Sequence, residues 1–199
     1  MYDKVRTFSY FCCMYYRRKI LLALLETFDN KLEKISLQKL LMLLTKQQLK
    51  PDFYFVPYKY GCFSFQANAD LATMTKYNQV KAEGNSWIKT DNEKYLLSLK
   101  ERDRQAIRYI KLQYGRKNAD ELIKHTYVKF PYFAVNSTIA KERLSHEEYQ
   151  KVLEARPKSN KTILYTIGYE GISLEEYLNK RMHPINSVFV TWPSEPTFV

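Results

Sequence analysis

The predicted fold rests on the stretch Val80-Lys81-Ala82-Glu83-Gly84-Asn85-Ser86-Trp87-Ile88-Lys89-Thr90. Two short runs that contain β-branched and aromatic residues flank a Gly84-Asn85 pair, which is typical of a tight hairpin turn. Working outward toward the N-terminus, the pattern predicts three helices, over residues 17–28, 36–48 and 65–77. Three helices followed by a hairpin is the order expected of a winged helix.

Leucine spacing supports the first two of these helices. In both, apolar residues recur at i, i+3, i+4 and i+7 and form one stripe. The stripes are Leu21, Leu24, Leu25 and Phe28 in the first helix, and Leu37, Leu40, Leu41 and Leu44 in the second. Ser36 is the predicted N-cap of the second helix, and we expect the two leucine faces to pack against each other.

The hairpin is followed by further predicted helices. One long helix covers residues 93–114 and ends at Gly115, and another covers residues 118–129. Ser145-His146-Glu147-Glu148 matches the capping-box pattern and opens one more helix. Residues 53–64 are aromatic and interrupted by Pro57 and Gly61, which favours a short extended stretch that leads into a turn.

Another fold begins near the C-terminus, at Leu164-Tyr165-Thr166-Ile167-Gly168-Tyr169-Glu170-Gly171-Ile172-Ser173-Leu174-Glu175-Glu176-Tyr177-Leu178. This stretch is typical of a buried strand, a glycine turn and a helix, the opening of an α/β domain. A further strand is predicted at residues 187–190. A βαβ unit takes roughly 30 residues and a parallel sheet needs several of them, so we expect an incomplete fragment without activity of its own. We expect it to be either docked on the helical domain or locally unstable.

The predicted organisation has four parts. Residues 1–13 form an extension, and residues 14–155 form a mainly helical, winged-helix-like domain with a small β hairpin. Residues 156–161 are polar and contain Pro157, which makes them the predicted linker. Residues 162–199 form the incomplete α/β fragment.

Positive charge is concentrated in the first part of the chain. Residues 1–160 hold 29 Lys and Arg against 17 Asp and Glu, whereas residues 161–199 hold 3 against 4. A surplus of this kind favours contact with a polyanion, so DNA or RNA is a candidate partner. The candidate contact residues lie on the second and third helices and around the hairpin: Lys39, Lys46, Gln47, Lys76, Gln79, Lys81 and Lys89.

Composition excludes several classes of protein. The three cysteines and three histidines have no metal-ligand spacing, so we expect neither a disulfide framework nor a metal, and no motif predicts a cofactor. No apolar run approaches the roughly 18 residues that span a bilayer, and we expect a cytoplasmic protein with no membrane partner. We find no convincing catalytic set. In particular, Glu175 and Glu176 fit a helix start, where carboxylates complement the dipole.

Two stretches carry family resemblances. Leu37-Gln38-Lys39-Leu40-Leu41, followed later by Tyr58-Lys59-Tyr60-Gly61-Cys62-Phe63-Ser64, resembles the Panacea domain, a family that includes antitoxins and the proteolysis adaptor SocA. Family members typically have Tyr-Gly-Pro at the turn, and this chain has Cys62 in place of the proline. The resemblance implies a protein-interaction module.

The C-terminal stretch resembles the start of a bacterial family of unknown function, the one numbered 488. Members continue with a second strand that ends in an Asp-Val-Arg motif; the corresponding place here reads Val188-Phe189-Val190-Thr191-Trp192-Pro193, without the acidic and basic residues. Together the resemblances imply a winged-helix-like front end joined to a truncated α/β domain.

Three functional hypotheses follow. The leading one is a non-catalytic basic module that binds nucleic acid, as the targeting or regulatory front end of a truncated bacterial protein. The alternative is a protein-interaction module of antitoxin or adaptor type. The third is an inactive remnant of an enzyme whose α/β domain is lost.

Overall fold

The computed structural model describes residues 14–157, 163–166, 175, 176, 179 and 187–190. The described fold is mainly helical, with small sheets of two or three strands. The α-helices are α1 (Tyr16–Thr27), α2 (Lys34–Thr45), α3 (Phe65–Lys76), α4 (Glu101–Tyr114), α5 (Ala119–Lys129), α6 (Ala140–Arg143) and α7 (His146–Glu154). The strands are β1 (Lys31–Glu33), β2 (Val56–Tyr58), β3 (Gly61–Phe63), β4 (Val80–Glu83), β5 (Ser86–Lys89), β6 (Ile163–Thr166) and β7 (Ser187–Val190).

Helix α2 lies at the centre of the fold. Every residue of α2 from Ser36 to Thr45 is buried, because α1, α4, α5, β1 and β3 all pack against it. The single leucine stripe predicted for this helix is therefore too narrow a description of its buried surface. Lys39, in the middle of α2, is 1% exposed and places an ammonium group in the core.

The predicted hairpin is confirmed. β4 and β5 pair antiparallel around Gly84 and Asn85, and Gly84 has a φ of +55°, the left-handed region that glycine favours. The structure adds a third strand that the sequence did not predict, since β1 pairs antiparallel with β5 from Lys31 opposite Ile88 to Glu33 opposite Ser86. The strand order is β1-β5-β4.

The predicted start of α2 at Ser36 is wrong by two residues. β1 runs directly into α2, so the extended residue Glu33 is the N-cap, and it makes no side-chain cap hydrogen bond. Ser36 is instead buried inside the helix.

The predicted long helix over residues 93–114 is also wrong. A 3₁₀ helix at Leu96–Ser98 precedes α4, and Leu99 and Lys100 are extended. Two side chains from α1 explain the interruption, because they take hydrogen bonds from the backbone there. The Glu26 carboxylate accepts from the Tyr95 N–H at 2.7 Å, and the Tyr16 hydroxyl accepts from the Lys100 N–H at 3.0 Å.

The two later helices begin as predicted. Asn118 caps α5 and Ser145 caps α7, each in a capping box with the glutamate three residues later. A second 3₁₀ helix, Pro131–Ala134, follows α5. Within the described parts of the chain, no helix has the length and apolar character needed to cross a bilayer.

Near the C-terminus, β6 and β7 pair in parallel, with Ile163 opposite Ser187 and Thr166 opposite Val190. The predicted strand at residues 187–190 is therefore confirmed. The predicted glycine turn at Gly168 and Gly171, the extension over residues 1–13 and most of the linker lie outside the described residues.

Candidate functional site

Two of the seven predicted nucleic-acid contacts are buried. Lys39 is 1% exposed and Lys89 is 6% exposed, so neither presents its ammonium to a phosphate backbone. The Lys89 ammonium is bound by Asp91, at 2.6 Å to the carbonyl oxygen and 2.7 Å to Oδ1. For Lys39 and Lys89, the predicted role does not fit the structure.

The other five residues are more accessible, but they lie on separate elements. Lys46 and Gln47 are exposed just after α2, Lys76 is exposed at the end of α3, Lys81 is exposed on β4, and Gln79 is half-buried. Lys81 pairs with Glu83 at 3.0 Å on the same strand. The outer face of α3, including Asn68 and Thr73, offers no arginine or lysine before Lys76.

A pocket of about 650 Å³ lies beside Lys39. It lies between the hairpin formed by β2 and β3, the start of α2, and helices α5 and α6. We call it the hairpin pocket and define it by Gln38, Tyr58, Tyr60, Cys62, Ile123 and Arg143.

Lys39 holds the backbone of the β2–β3 hairpin through hydrogen bonds from its side chain. Its ammonium donates to the Tyr60 carbonyl and, at 3.3 Å, to the Cys62 carbonyl, and it lies 3.6 Å from Cys62 Sγ. Burial lowers the pKa of Lys39, because the charged form loses its water. Burial likewise raises the pKa of the Cys62 thiol, which argues against a nucleophilic thiolate.

Gly61 allows the close approach between the hairpin and the core. Its φ is +89°, and a Cβ there would overlap the Tyr127 ring and lie 2.9 Å from Lys39 Nζ. Tyr127 is itself fixed by a 2.7 Å hydrogen bond between its hydroxyl and Ser137 Oγ. Burial raises the pKa of Tyr127 to about 12, so this hydroxyl stays protonated at neutral pH.

Further polar contacts hold both ends of the hairpin. Gln38 Oε1 accepts from the Ser64 N–H at 2.9 Å, and its Nε2 donates to the Ser64 carbonyl at 3.4 Å. On the other side, the Thr138 N–H donates to the Lys59 carbonyl at 3.0 Å. A two-stranded hairpin is marginal on its own, so these contacts explain how this one keeps a defined shape.

The hairpin presents aromatic side chains to solvent. Tyr58 is 40% exposed and Tyr60 is 55% exposed. The Tyr58 ring packs against Phe63 and Phe65, with centroids 5.2 and 5.6 Å away, so its orientation is fixed. The surface formed by Tyr58, Lys59 and Tyr60 is called the hairpin tip below.

Among the described residues, no cluster of His, Cys, Asp and Glu is suited to holding a metal ion. The buried groups around the hairpin are instead engaged in holding backbone. What the arrangement offers is a rigid, partly aromatic surface beside a concave pocket.

Comparison of the chain with protein-family models, with curated proteins and with solved structures gives no match. The two resemblances therefore remain predictions from short motifs. The sequence placed the residues of the hairpin tip in an extended stretch that leads into a turn and in a family motif, and it assigned them no contact with a partner. It missed the role of Lys39, for which a lysine on an otherwise apolar helix was the available signal.

Proposed function

We propose that this chain is a non-catalytic protein-interaction module and that the hairpin tip, with the hairpin pocket beside it, is its docking surface. The observation that carries the proposal is Lys39, a lysine in the core whose hydrogen bonds fix the exposed turn at Tyr60. This is the second of the hypotheses drawn from the sequence, and the geometry supports it better than the first.

The physical argument concerns the cost of burying an ammonium group. A buried charge is unfavourable unless it is paired or fully hydrogen-bonded, so a lysine in a core needs a structural reason. Here its N–H groups donate to two backbone carbonyls of the β2–β3 hairpin, that of the exposed Tyr60 and that of the buried Cys62. Rigid presentation lowers the entropy lost on binding, which strengthens association without adding contacts.

The residues at the tip are suited to a protein partner. Tyrosine and arginine are enriched among the residues that dominate binding energy, and Tyr58, Tyr60 and Arg143 all line the hairpin pocket. Its polar residues include Lys34 and Lys59 as well as Glu33 and Asp120. We infer a polypeptide segment with an aromatic or aliphatic anchor as the occupant.

The motifs and the topology are consistent with this proposal. The Panacea resemblance implies antitoxin or adaptor function, and the residues that carry it, around Lys39 and Tyr58–Ser64, are those that build the hairpin. We also propose that the helical part is a winged helix. The order α1, β1, α2, α3, β4, β5, with the β2–β3 hairpin inserted between α2 and α3 and the strands arranged β1-β5-β4, supports that assignment.

Selection from a phage-displayed library of random peptides tests the proposal. The purified chain should enrich a sequence family, and Tyr58→Ser with Tyr60→Ser should abolish binding of those peptides. A matched control is Tyr77→Ser with Tyr109→Ser, since these tyrosines are 66% and 44% exposed and lie elsewhere. The hairpin tip is not the docking surface if the library shows no enrichment. The same conclusion follows if the selected peptides bind the wild type, the variant at Tyr58 and Tyr60 and the control variant equally.

Nucleic-acid binding is the second candidate function. The observation that favours it is the surplus of positive charge over residues 1–160, which does not depend on the β2–β3 hairpin. The exposed residues Lys46, Gln47, Lys76 and Lys81 would supply the contacts. Lysines contact phosphates without reading sequence, so this candidate is a non-specific binder.

A further inference from the structure

A second surface, at the start of α3, is already occupied by the chain itself. Glu175, from the C-terminal segment, is 1% exposed, and its Oε1 accepts from the Gln66 N–H at 2.6 Å and from Ser64 Oγ at 3.2 Å. Ser64 is also the N-cap of α3, where it accepts from the Ala67 N–H. The Glu175 carboxylate thus lies at the N-terminus of a twelve-residue helix, where the dipole favours negative charge.

A second side chain from the same segment contacts other residues of the helical fold. Asn179 Nδ2 donates to the Phe55 carbonyl at 2.8 Å, and its Oδ1 accepts from the Tyr132 hydroxyl at 3.2 Å. Glu175 and Asn179 are both helical and four residues apart, the spacing at which side chains of a helix share one face. Together they contact three different parts of the helical fold.

We propose that the groove formed by Phe55, Ser64, Gln66 and Tyr132, here the tail groove, is a docking site for a helix that carries glutamate and asparagine four residues apart. In this chain its own C-terminal segment occupies the groove. A separate protein that bears such a helix binds there in trans by displacing that segment.

Charge supports this choice of occupant. Residues 161–199 carry one more acidic than basic residue, whereas residues 1–160 carry a surplus of twelve positive charges. The groove recognises a carboxylate through a backbone N–H and a hydroxyl, and recognises an amide through a carbonyl and a hydroxyl. This recognition is specific, since alanine at position 175 would remove the acceptor of the Gln66 N–H and alanine at position 179 would remove the donor to the Phe55 carbonyl.

Competition between an added peptide and the chain's own C-terminal segment tests the proposal in the 199-residue chain. The probe is a fluorescent synthetic peptide of residues 170–184. Its affinity for the Glu175→Gln, Asn179→Ala chain should exceed its affinity for the wild-type chain at least about tenfold, because an intramolecular competitor acts at high effective concentration. A peptide with the same two substitutions should bind neither chain.

Hydrogen exchange at the Gln66 amide provides a second readout that does not depend on the peptide. This amide should exchange faster in Glu175→Gln than in the wild type and be unchanged in Glu147→Gln, a control at an exposed first-turn glutamate of α7. Equal peptide binding by both chains, or unchanged Gln66 exchange in Glu175→Gln, would overturn the proposal. Neither readout uses Tyr58 or Tyr60, so this inference and the proposed function fail separately.

Discussion

Among single residues, Lys39 connects the core of the molecule to its surface most directly. Its side chain extends from α2 through the core, and its ammonium binds the carbonyl of the buried Cys62 and that of Tyr60, which is exposed at the hairpin tip. Gly61, between those two residues, is what lets the hairpin come close enough for the contact. Changes at these positions should therefore affect both folding stability and the shape of the tip.

Gly61→Ala should be strongly destabilising. A Cβ there meets the Tyr127 ring and Lys39 Nζ, and the φ of +89° is unfavourable for any L side chain. Backbone strain of about 1–2 kcal/mol and overpacking of about 1–3 kcal/mol add to a loss of roughly 2–5 kcal/mol in the free energy of unfolding. Urea unfolding followed by circular dichroism measures it.

Gly84→Ala is the matched control, because Gly84 also has positive φ but nothing lies within 4 Å of the position a Cβ would take. It should cost only the strain, about 1–2 kcal/mol. Equal losses for the two variants would show that the contact with Lys39 and Tyr127 is not what requires glycine at position 61.

Asp70 provides a pH-dependent contribution to stability. It is 1% exposed, and it accepts from Arg17 Nε at 2.5 Å and Arg18 Nε at 2.8 Å. Burial alone raises the pKa of Asp70, but hydrogen bonds from the two arginines outweigh it and the net shift is downward from 3.8. A carboxylate whose pKa is lowered by folding stabilises the fold at pH values above its pKa in the unfolded chain. This contribution is lost as the pH falls through its lower pKa in the folded protein.

Asp70→Asn should therefore destabilise the protein by about 2 kcal/mol at pH 7, with the difference from wild type shrinking toward pH 2–3. Asp120→Asn is the control, since its pair with Arg143 is exposed and should contribute less than about 1 kcal/mol. Urea unfolding at several pH values measures both. A difference between wild type and Asp70→Asn that is constant across that range contradicts the proposed role of the ionised carboxylate.

Among the elements, those specified by local sequence were predictable. The hairpin of β4 and β5 follows from its Gly84-Asn85 turn, and α7 follows from the capping box at Ser145. Helix α5 begins where the sequence predicted it, and the structure adds a capping box at Asn118. In each case the residues that determine the element lie within a few positions of it. Helix α3 was also found to within one residue at its end.

Elements specified by distant partners were missed. β1 has only three residues and exists because β5 supplies its hydrogen bonds. The interruption before α4 depends on Glu26 and Tyr16, about seventy to eighty-five positions away in the chain. No periodicity within residues 93–114 could reveal those bonds, since both acceptors come from α1.

For the molecule as a whole, charge was a poor guide to the candidate site. The surplus of lysine and arginine is real, but Lys39 and Lys89 use their charges internally. The hairpin tip and the tail groove depend on three-dimensional contacts between segments far apart in sequence, such as Glu175 with Gln66. The sequence predicted a mainly helical fold and left docking of the tail as one of two alternatives, but it did not reveal these surfaces.

Salt dependence separates the two candidate functions of the whole chain. A protein that neutralises several phosphates loses about 0.9 log units of affinity per log unit of salt for each one on duplex DNA. If nucleic acid is the partner, Lys76→Gln should reduce this slope by roughly 1, measured by fluorescence anisotropy with duplex and single-stranded oligonucleotides. If the chain is a protein-interaction module, as we propose, nucleic acid should bind only weakly and at low salt. Lys76→Gln should then leave the salt dependence of that binding unchanged.

The most direct test of the interaction function is site-specific photo-crosslinking in the native cells. A chain with a benzophenone amino acid at position 60 should give one discrete protease-sensitive adduct, because Tyr60 lies at the hairpin tip. The same group at position 77, which is also exposed, should give none. An adduct that nuclease removes, or equal adducts at positions 60 and 77, would contradict the proposal that the hairpin tip binds a protein.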